Sequence, residues 1–145
     1  MNRIEILLVE DDQDDLDMTL RALQKANLAN RIQIARDGAE APDFVFSRGA
    51  HVQRKVDNRL RLILLDLKLP KIDGMEVLKR IKHNPDTSMI PVVVLTSSKE
   101  QQDMIESYNL GVNSYIVKPV NFDGFSAAVQ ELGMYWLLLN QAPEL

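Results

Sequence analysis

Hydrophobic and polar residues alternate along the chain in blocks that predict a parallel α/β sheet. Short apolar runs, which indicate strands, occupy residues 4–9, 32–35, 60–65, 92–95 and 115–117. Between them lie polar stretches whose apolar residues recur every three or four positions, as they do on one face of a helix. Short strands that alternate with amphipathic helices are typical of β/α units. The pattern therefore predicts five such units in succession, with helices on both faces of the sheet.

The helices themselves are placed by periodicity and by capping residues. We expect them at about 13–27, 38–47, 74–84, 99–109 and 122–139. Asp73 and Glu76 have the spacing of a capping box at the start of the third helix. Ser98 is expected to cap the fourth helix. Pro42 is tolerated only in the first turn of the second helix, because a proline lacks the backbone donor.

Polar side chains follow four of the predicted strands, at the point where each strand ends. Glu10 and Asp11 follow the first strand and Asp66 the third, whereas Thr96 and Lys118 follow the last two. In a sheet of this kind the carboxyl ends of parallel strands share one rim, where ligands bind. We therefore expect carboxylates, a hydroxyl and an ammonium to meet there. This combination suits a divalent cation and a phosphoryl group.

The acidic residues near position 10 have two interpretations. Glu10, Asp11 and Asp12 would repel Asp66 unless a hard cation compensates them. Oxygen ligands of this kind favour Mg²⁺, Mn²⁺ or Ca²⁺ over zinc. The alternative is that acidic residues at 12, 14, 15 and 17 simply favour the positive end of the first helix dipole. We assign Asp14, Asp15 and Asp17 to the helix, and Glu10 and Asp11 to the cation.

Composition narrows the class of protein further. The 145 residues carry a net charge of −4 and no cysteine, which argues against a nucleic-acid surface, a disulfide framework and thiol chemistry. Neither a membrane span nor a secretion signal is evident in the sequence. We expect one domain over residues 1–145, with a core at about 3–139 and a tail at 140–145. A cytoplasmic location fits this composition.

These motifs together resemble the receiver domain of response regulators in two-component signalling. They are LLVEDD at 7–12, LLDLKLP at 64–70 with DG at 73–74, VLTS at 94–97 and YIVKP at 115–119. The resemblance spans nearly the whole chain. It implies the doubly wound, flavodoxin-like (βα)5 fold, with a parallel five-stranded sheet in the order 2-1-3-4-5.

The resemblance also implies how the acidic rim works. Asp66 would be the phosphoacceptor, taking a phosphoryl group from a phosphohistidine of a sensor histidine kinase. Mg²⁺, for which Mn²⁺ or Ca²⁺ can substitute, would be bound directly by Asp11, with Glu10 assisting through water and with Asp66 and the backbone carbonyl of Lys68 as further ligands. The chain would act as a switch rather than as a turnover enzyme.

The resemblance also implies that the remaining motif residues contact the phosphoryl group. Thr96 would hydrogen-bond one phosphoryl oxygen and Lys118 would pair with another, so that Asp66, Thr96 and Lys118 form the catalytic set. Thr96 and Tyr115 would be the switch residues. Their movement would reorganise the 96–98 loop and the surface of helix 4, strand 5 and helix 5 for contacts with other proteins.

Three other functions are consistent with parts of the pattern. An aspartate-based phosphatase would carry a second acid two residues after Asp66, where this chain has Lys68. A flavin-binding module would need a loop rich in Ser, Thr or Gly after the first strand, but that loop is acidic. An unphosphorylated pseudo-receiver would not be expected to keep the acceptor, the threonine and the lysine.

The end of the predicted fifth helix is apolar all round, which predicts a second surface. Beyond the core-facing stripe, the apolar residues are Met134, Tyr135, Leu137 and Leu138. Scattered apolar surface residues are the alternative. We expect a homodimer formed by this helix and the 140–145 tail. The ending at 135–143 is similar to that of stand-alone receivers that partner with bacterial phytochromes, and such a kinase is the expected partner.

Overall fold

The computed structural model describes residues 6–25, 32–49, 60–97 and 99–118, together with Asp123 and Ala127. The strands are β1 (Ile6–Val9), β2 (Ile32–Ala35), β3 (Leu62–Leu65), β4 (Val92–Thr96) and β5 (Ser114–Val117). The helices are α1 (Gln13–Lys25), α2 (Glu40–Val45), α3 (Gly74–His83) and α4 (Gln101–Leu110). Asp123 and Ala127 are helical and exposed, within the predicted fifth helix. None of the described helices is long and apolar enough to span a membrane.

All five strands pair in parallel in the order β2-β1-β3-β4-β5. This confirms the predicted doubly wound topology. The register aligns the ends of the central strands, because Val9 pairs with both Ala35 and Leu65. The residues that follow these strands therefore emerge side by side at one rim.

The core lies on both faces of the sheet, because successive residues of a strand point to opposite sides. Leu7, Val9, Ile63 and Leu65 belong to one buried cluster with residues of α2 and α3. Ile6, Leu8, Leu62 and Leu64 belong to the other cluster, which contains Leu16, Ala22 and Leu23 of α1. Such strands, buried on both faces, explain the continuous apolar runs of the sequence.

α3 begins at Gly74 as predicted, but both predicted helix caps are wrong. Asp73 occupies the N-cap position of α3, but its side chain makes no capping hydrogen bond, so the capping box is not formed. α4 begins two residues later than predicted, with Glu100 rather than Ser98 at its N-cap position. Pro42 lies in the first turn of α2, as its missing donor requires.

Candidate functional site

The rim at the carboxyl ends of β1 and β3 holds its residues firmly in place. The backbone ladder continues one residue beyond these strands, since the Glu10 amide donates to the Ala35 carbonyl and the Asp66 amide to the Val9 carbonyl, each at 3.0 Å. Both carboxyl side chains are consequently buried, with Glu10 3% and Asp66 7% exposed. A buried carboxylate requires compensation by hydrogen bonds or by cations.

The loop between β3 and α3 orients Asp66. The Lys68 amide donates to Asp66 Oδ1 at 3.2 Å, and the Gly74 amide donates to the Leu67 carbonyl at 2.9 Å. Gly74 packs so closely here that a Cβ atom would lie 2.4 Å from the Asp66 carbonyl oxygen. Since that neighbour is backbone and cannot swing aside, the loop requires glycine at this position.

A second glycine braces the same loop from the side of β2. The Gly38 amide donates to the Pro70 carbonyl at 3.1 Å, and a Cβ at Gly38 would lie 1.7 Å from the Ile72 carbonyl oxygen. Lys71 Nζ pairs with Asp37 Oδ2 at 3.1 Å. The loop that carries Asp66 is thus fixed at its ends by the Gly74 contact and in its middle by the Gly38 contact.

Glu10, Asp11 and Asp66 can hold a cation together. One carboxylate oxygen of each lies within 4.8 Å of the others. Hard oxygen donors of this kind suit Mg²⁺, Mn²⁺ or Ca²⁺. Asp12 has a different part, because its Oδ2 accepts a hydrogen bond of 2.9 Å from the Asp15 amide and so caps α1.

Lys118 supplies the positive charge of the site from the end of β5. Its side chain is 2% exposed, and its Nζ donates to Glu10 Oε1 and, at 2.9 Å, to Asp15 Oδ2. The same nitrogen lies 3.5 Å from Asp66 Oδ2. Burial disfavours the ammonium, but its hydrogen bonds to Glu10 and Asp15 and the nearby charges outweigh this effect and raise the pKa of Lys118. The side chain therefore stays charged at neutral pH.

Glu10 is the group most strongly perturbed by this arrangement. Burial, followed by the neighbouring Asp66 carboxyl, raises the pKa of Glu10 to about 8, although Lys118 acts in the opposite direction. Two carboxyl groups this close favour a shared proton when no metal compensates them. A proton and a metal ion are therefore alternatives at this position.

The other predicted site residues are placed as follows. Thr96 is the last residue of β4 and fully buried, and its carbonyl accepts a hydrogen bond of 2.7 Å from the Lys118 amide. Tyr115 is partly buried and packs against the core cluster that contains α2 and α3. Lys68 has an exposed side chain. The predicted dimer residues Met134, Tyr135, Leu137 and Leu138 lie outside the described residues.

Asp15 is the site residue that the sequence analysis missed. It lies in the first turn of α1, as expected for an acid that favours the helix dipole, yet its carboxylate reaches Lys118, 103 residues further along the chain. Its spacing from Asp12 is that of an ordinary helix start, so no local signal distinguishes it from Asp14. Its partner, Lys118, becomes evident only once the position of β5 in the fold is known.

The fold and this rim define a class: a parallel α/β domain with an acidic cation site and a buried lysine at the strand ends. Comparison with known proteins agrees with that class. The family model of the response regulator receiver domain matches residues 6–130. Response regulator Rcp1 from Synechocystis is 43% identical over 132 residues, covering 91% of this chain and 88% of that protein. The probable methanogenesis regulatory protein FilR2 from Methanothrix harundinacea is 40% identical over 139 residues, covering 95% and 86%.

Solved structures show the same likeness. The phosphorylated cyanobacterial phytochrome response regulator RcpA superposes with a TM-score of 0.87 and 37% identity, covering 99% of this chain and 100% of that one. The Mn²⁺-bound form of Rcp1 gives a TM-score of 0.85 with 42% identity, covering 96% and 98%. The chain belongs to the response regulator receiver domain family. This membership favours a phosphoacceptor over the phosphatase and the flavin-binding module.

Proposed function

We propose that this chain is a stand-alone response regulator whose Asp66 accepts a phosphoryl group from a phosphohistidine of a sensor histidine kinase in the cytoplasm. The observation that carries the proposal is the position of Asp66. Its carboxylate shares a cation-sized cluster with Glu10 and Asp11, and its Oδ2 lies 3.5 Å from the Lys118 ammonium. Two anions could react there because Lys118 and a bound cation would together compensate their negative charge.

The reaction forms one bond and breaks one. An oxygen of the Asp66 carboxylate attacks phosphorus, a new P–O bond forms, the P–N bond to the kinase histidine breaks, and its electron pair returns to the imidazole nitrogen. A carboxylate is a weak nucleophile, so the rate depends on positioning and on charge compensation. The Lys68 amide, which donates to Asp66 Oδ1, holds the carboxylate in a single orientation.

The acidic cluster would also bind a divalent cation, which would supply the remaining positive charge. Glu10, Asp11 and Asp66, with the Lys68 carbonyl, would hold Mg²⁺, and Mn²⁺ or Ca²⁺ would substitute. The cation would stabilise the charge on the phosphoryl oxygens. Lys118, which is fully charged at neutral pH, would pair with another of these oxygens. The Mn²⁺-bound structure of the relative Rcp1 supports this assignment.

The new phosphoryl group would act as a switch. It adds a charge of about −1.5 to −2 with strong acceptor oxygens. Thr96, at the end of β4, would donate its hydroxyl to one of these oxygens, and Tyr115 would turn inward in response. The 96–98 loop would thereby reshape the surface formed by α4, β5 and the predicted fifth helix for contacts with other proteins.

The relatives support a kinase partner for this chain. Rcp1 is a response regulator, and RcpA is described as a phytochrome response regulator, which supports a bacterial phytochrome as the kinase for this chain. The name of FilR2, similar at 40% identity, points to methanogenesis instead. We also propose a homodimer contact at Met134, Tyr135, Leu137 and Leu138, with the 140–145 tail, because the sequence is apolar all round there.

The proposal is tested with the purified chain, Mg²⁺ and acetyl phosphate. We expect intact mass to show one phosphate adduct on the wild type and none on Asp66→Asn. Asp86→Asn, an exposed aspartate on the α3–β4 connection, is the matched control and should be labelled like the wild type. Equal labelling of Asp66→Asn would refute the acceptor. Light scattering on the same samples tests the dimer, which a monomeric mass at tens of micromolar would exclude.

A further inference from the structure

The Lys118 ammonium has one more carboxylate partner than cation binding and phosphoacceptance require. An ammonium has three N–H donors. One donates to Glu10 Oε1 and another to Asp15 Oδ2 at 2.9 Å. One donor is left for Asp66, 3.5 Å away, and for any group attached to it. Glu10 and Asp66 also belong to the cation cluster, but Asp15 does not.

Asp15 is held rigidly where it meets Lys118. It lies in the first turn of α1, and its backbone amide donates to Asp12 Oδ2 at 2.9 Å. The Asp15 side chain is 31% exposed, against 2% for Lys118. Neither the backbone cap nor the helix dipole accounts for the contact, because both would be satisfied with the carboxylate directed to solvent. The contact places a fixed acceptor beside a long and flexible side chain.

We propose that Asp15 is a positioning residue for phosphoryl transfer, which holds the Lys118 ammonium beside Asp66 while Glu10 is engaged with the cation. This role rests on the proposed function. A cation held by the cluster would share the Glu10 carboxylate with Lys118. Asp15 is then the acceptor whose hydrogen bond with Lys118 is not divided between two cations. Because Lys118 keeps a further donor, Asp15 need not be released when the phosphoryl group arrives.

Three variants separate positioning from simple charge. Asp15→Ala removes the acceptor, and we expect the initial rate of labelling by acetyl phosphate with Mg²⁺ to fall about tenfold, the lower range for a charge-assisted hydrogen bond. Asp15→Asn keeps an oxygen that accepts from Nζ, and its rate should stay within about threefold of the wild type. Asp14→Ala, an exposed acid in the same first turn of α1, is the matched control and should stay within about twofold, since exposed charges are strongly screened.

A second measurement reports the contact without any chemistry. The ammonium resonance of Lys118 in a lysine-selective ¹H–¹⁵N spectrum should be visible in the metal-free wild type, because burial and hydrogen bonds slow its proton exchange. Lys118→Arg assigns the resonance. We expect it to broaden or vanish in Asp15→Ala and to persist in Asp15→Asn and Asp14→Ala.

The outcomes are distinct. A wild type that takes no phosphate overturns the proposed function and this role with it, and the Lys118 resonance then reports separately whether the contact exists. If the wild type is labelled but Asp15→Ala reacts as fast as Asp14→Ala, positioning is wrong. Positioning is also wrong if Asp15→Ala is slow while its Lys118 resonance is unchanged, because the effect is then one of charge alone.

Discussion

Binding of Mg²⁺ to the acidic cluster should expel one proton from Glu10 at neutral pH. Burial and the Asp66 carboxyl raise the pKa of Glu10 from 4.5 to about 8, so the metal-free protein holds that proton at pH 7. A carboxyl group must ionise before it serves as a ligand to Mg²⁺. The cation and the proton therefore compete for one site.

The number of protons released at each pH follows from the pKa of Glu10. With a value of about 8, Glu10 is protonated in about 0.97 of molecules at pH 6.5 and in about 0.1 at pH 9. We expect Mg²⁺ binding to release about one proton at the lower pH and almost none at the higher. The apparent Mg²⁺ affinity should rise about 30-fold from pH 6.5 to 9, as the same equilibrium requires.

Titration calorimetry in buffers with different ionisation enthalpies counts these protons directly. Glu10→Gln is the control, because an amide cannot ionise; it should bind Mg²⁺ more weakly at every pH and release almost no protons. The reasoning is refuted if the wild type releases no protons at pH 6.5, or if Glu10→Gln releases as many as the wild type.

The same pKa fixes the sign of the pH dependence of stability. Between the unfolded value of 4.5 and the folded value of about 8, the metal-free folded state holds a proton that the unfolded chain has lost. This contribution to stability is fully present below pH 4.5 and is lost as the pH rises through 8. Chemical denaturation of wild type and Glu10→Gln at pH 6 and 9 isolates it, since only the wild type should lose the Glu10 contribution.

Three further substitutions test backbone and side-chain packing. Urea denaturation measures the stability of each variant, and labelling with acetyl phosphate measures its phosphoacceptance. Gly74→Ala puts a Cβ 2.4 Å from backbone, and we expect a loss of about 2 kcal/mol or more with slower labelling; an unchanged rate would contradict the close fit. Gly111→Ala, at φ +101° but with a Cβ contact no nearer than 3.9 Å, should cost about 1–2 kcal/mol and leave labelling intact. Thr87→Val removes the 2.6 Å bond from Oγ1 to the Ile81 carbonyl and should cost about 1 kcal/mol, again without an effect on labelling.

The sequence predicts the sheet well because the central strands β1, β3 and β4 are buried on both faces and therefore appear as continuous apolar runs. The five apolar runs become β1 to β5, and the strand order follows the resemblance. The residues that cap the helices were less predictable. Ser98 and Asp73 had the right residue types for capping, but α4 begins at Gln101 and the Asp73 side chain makes no capping bond. Where a helix begins depends on how its loop packs, which local spacing does not record.

The properties of the site likewise divide into those that the sequence predicts and those that it does not. Glu10, Asp11, Asp66 and Lys118 could be placed together because each follows a strand of one parallel sheet. Asp15 could not, since its partner is 103 residues away and its local pattern is that of a helix start. The raised pKa of Glu10 also depends on burial and on a neighbouring carboxyl, which a linear pattern does not contain.

The bond between Lys118 and Glu10 joins residues 108 positions apart. β1 and β3 bring Glu10 and Asp66 together in the middle of the sheet, whereas the ammonium follows β5, the edge strand next to β4. Local opening that detached this edge strand would leave the two carboxylates together without their lysine. The capacity to accept phosphate would therefore depend on the pairing of β5 with β4.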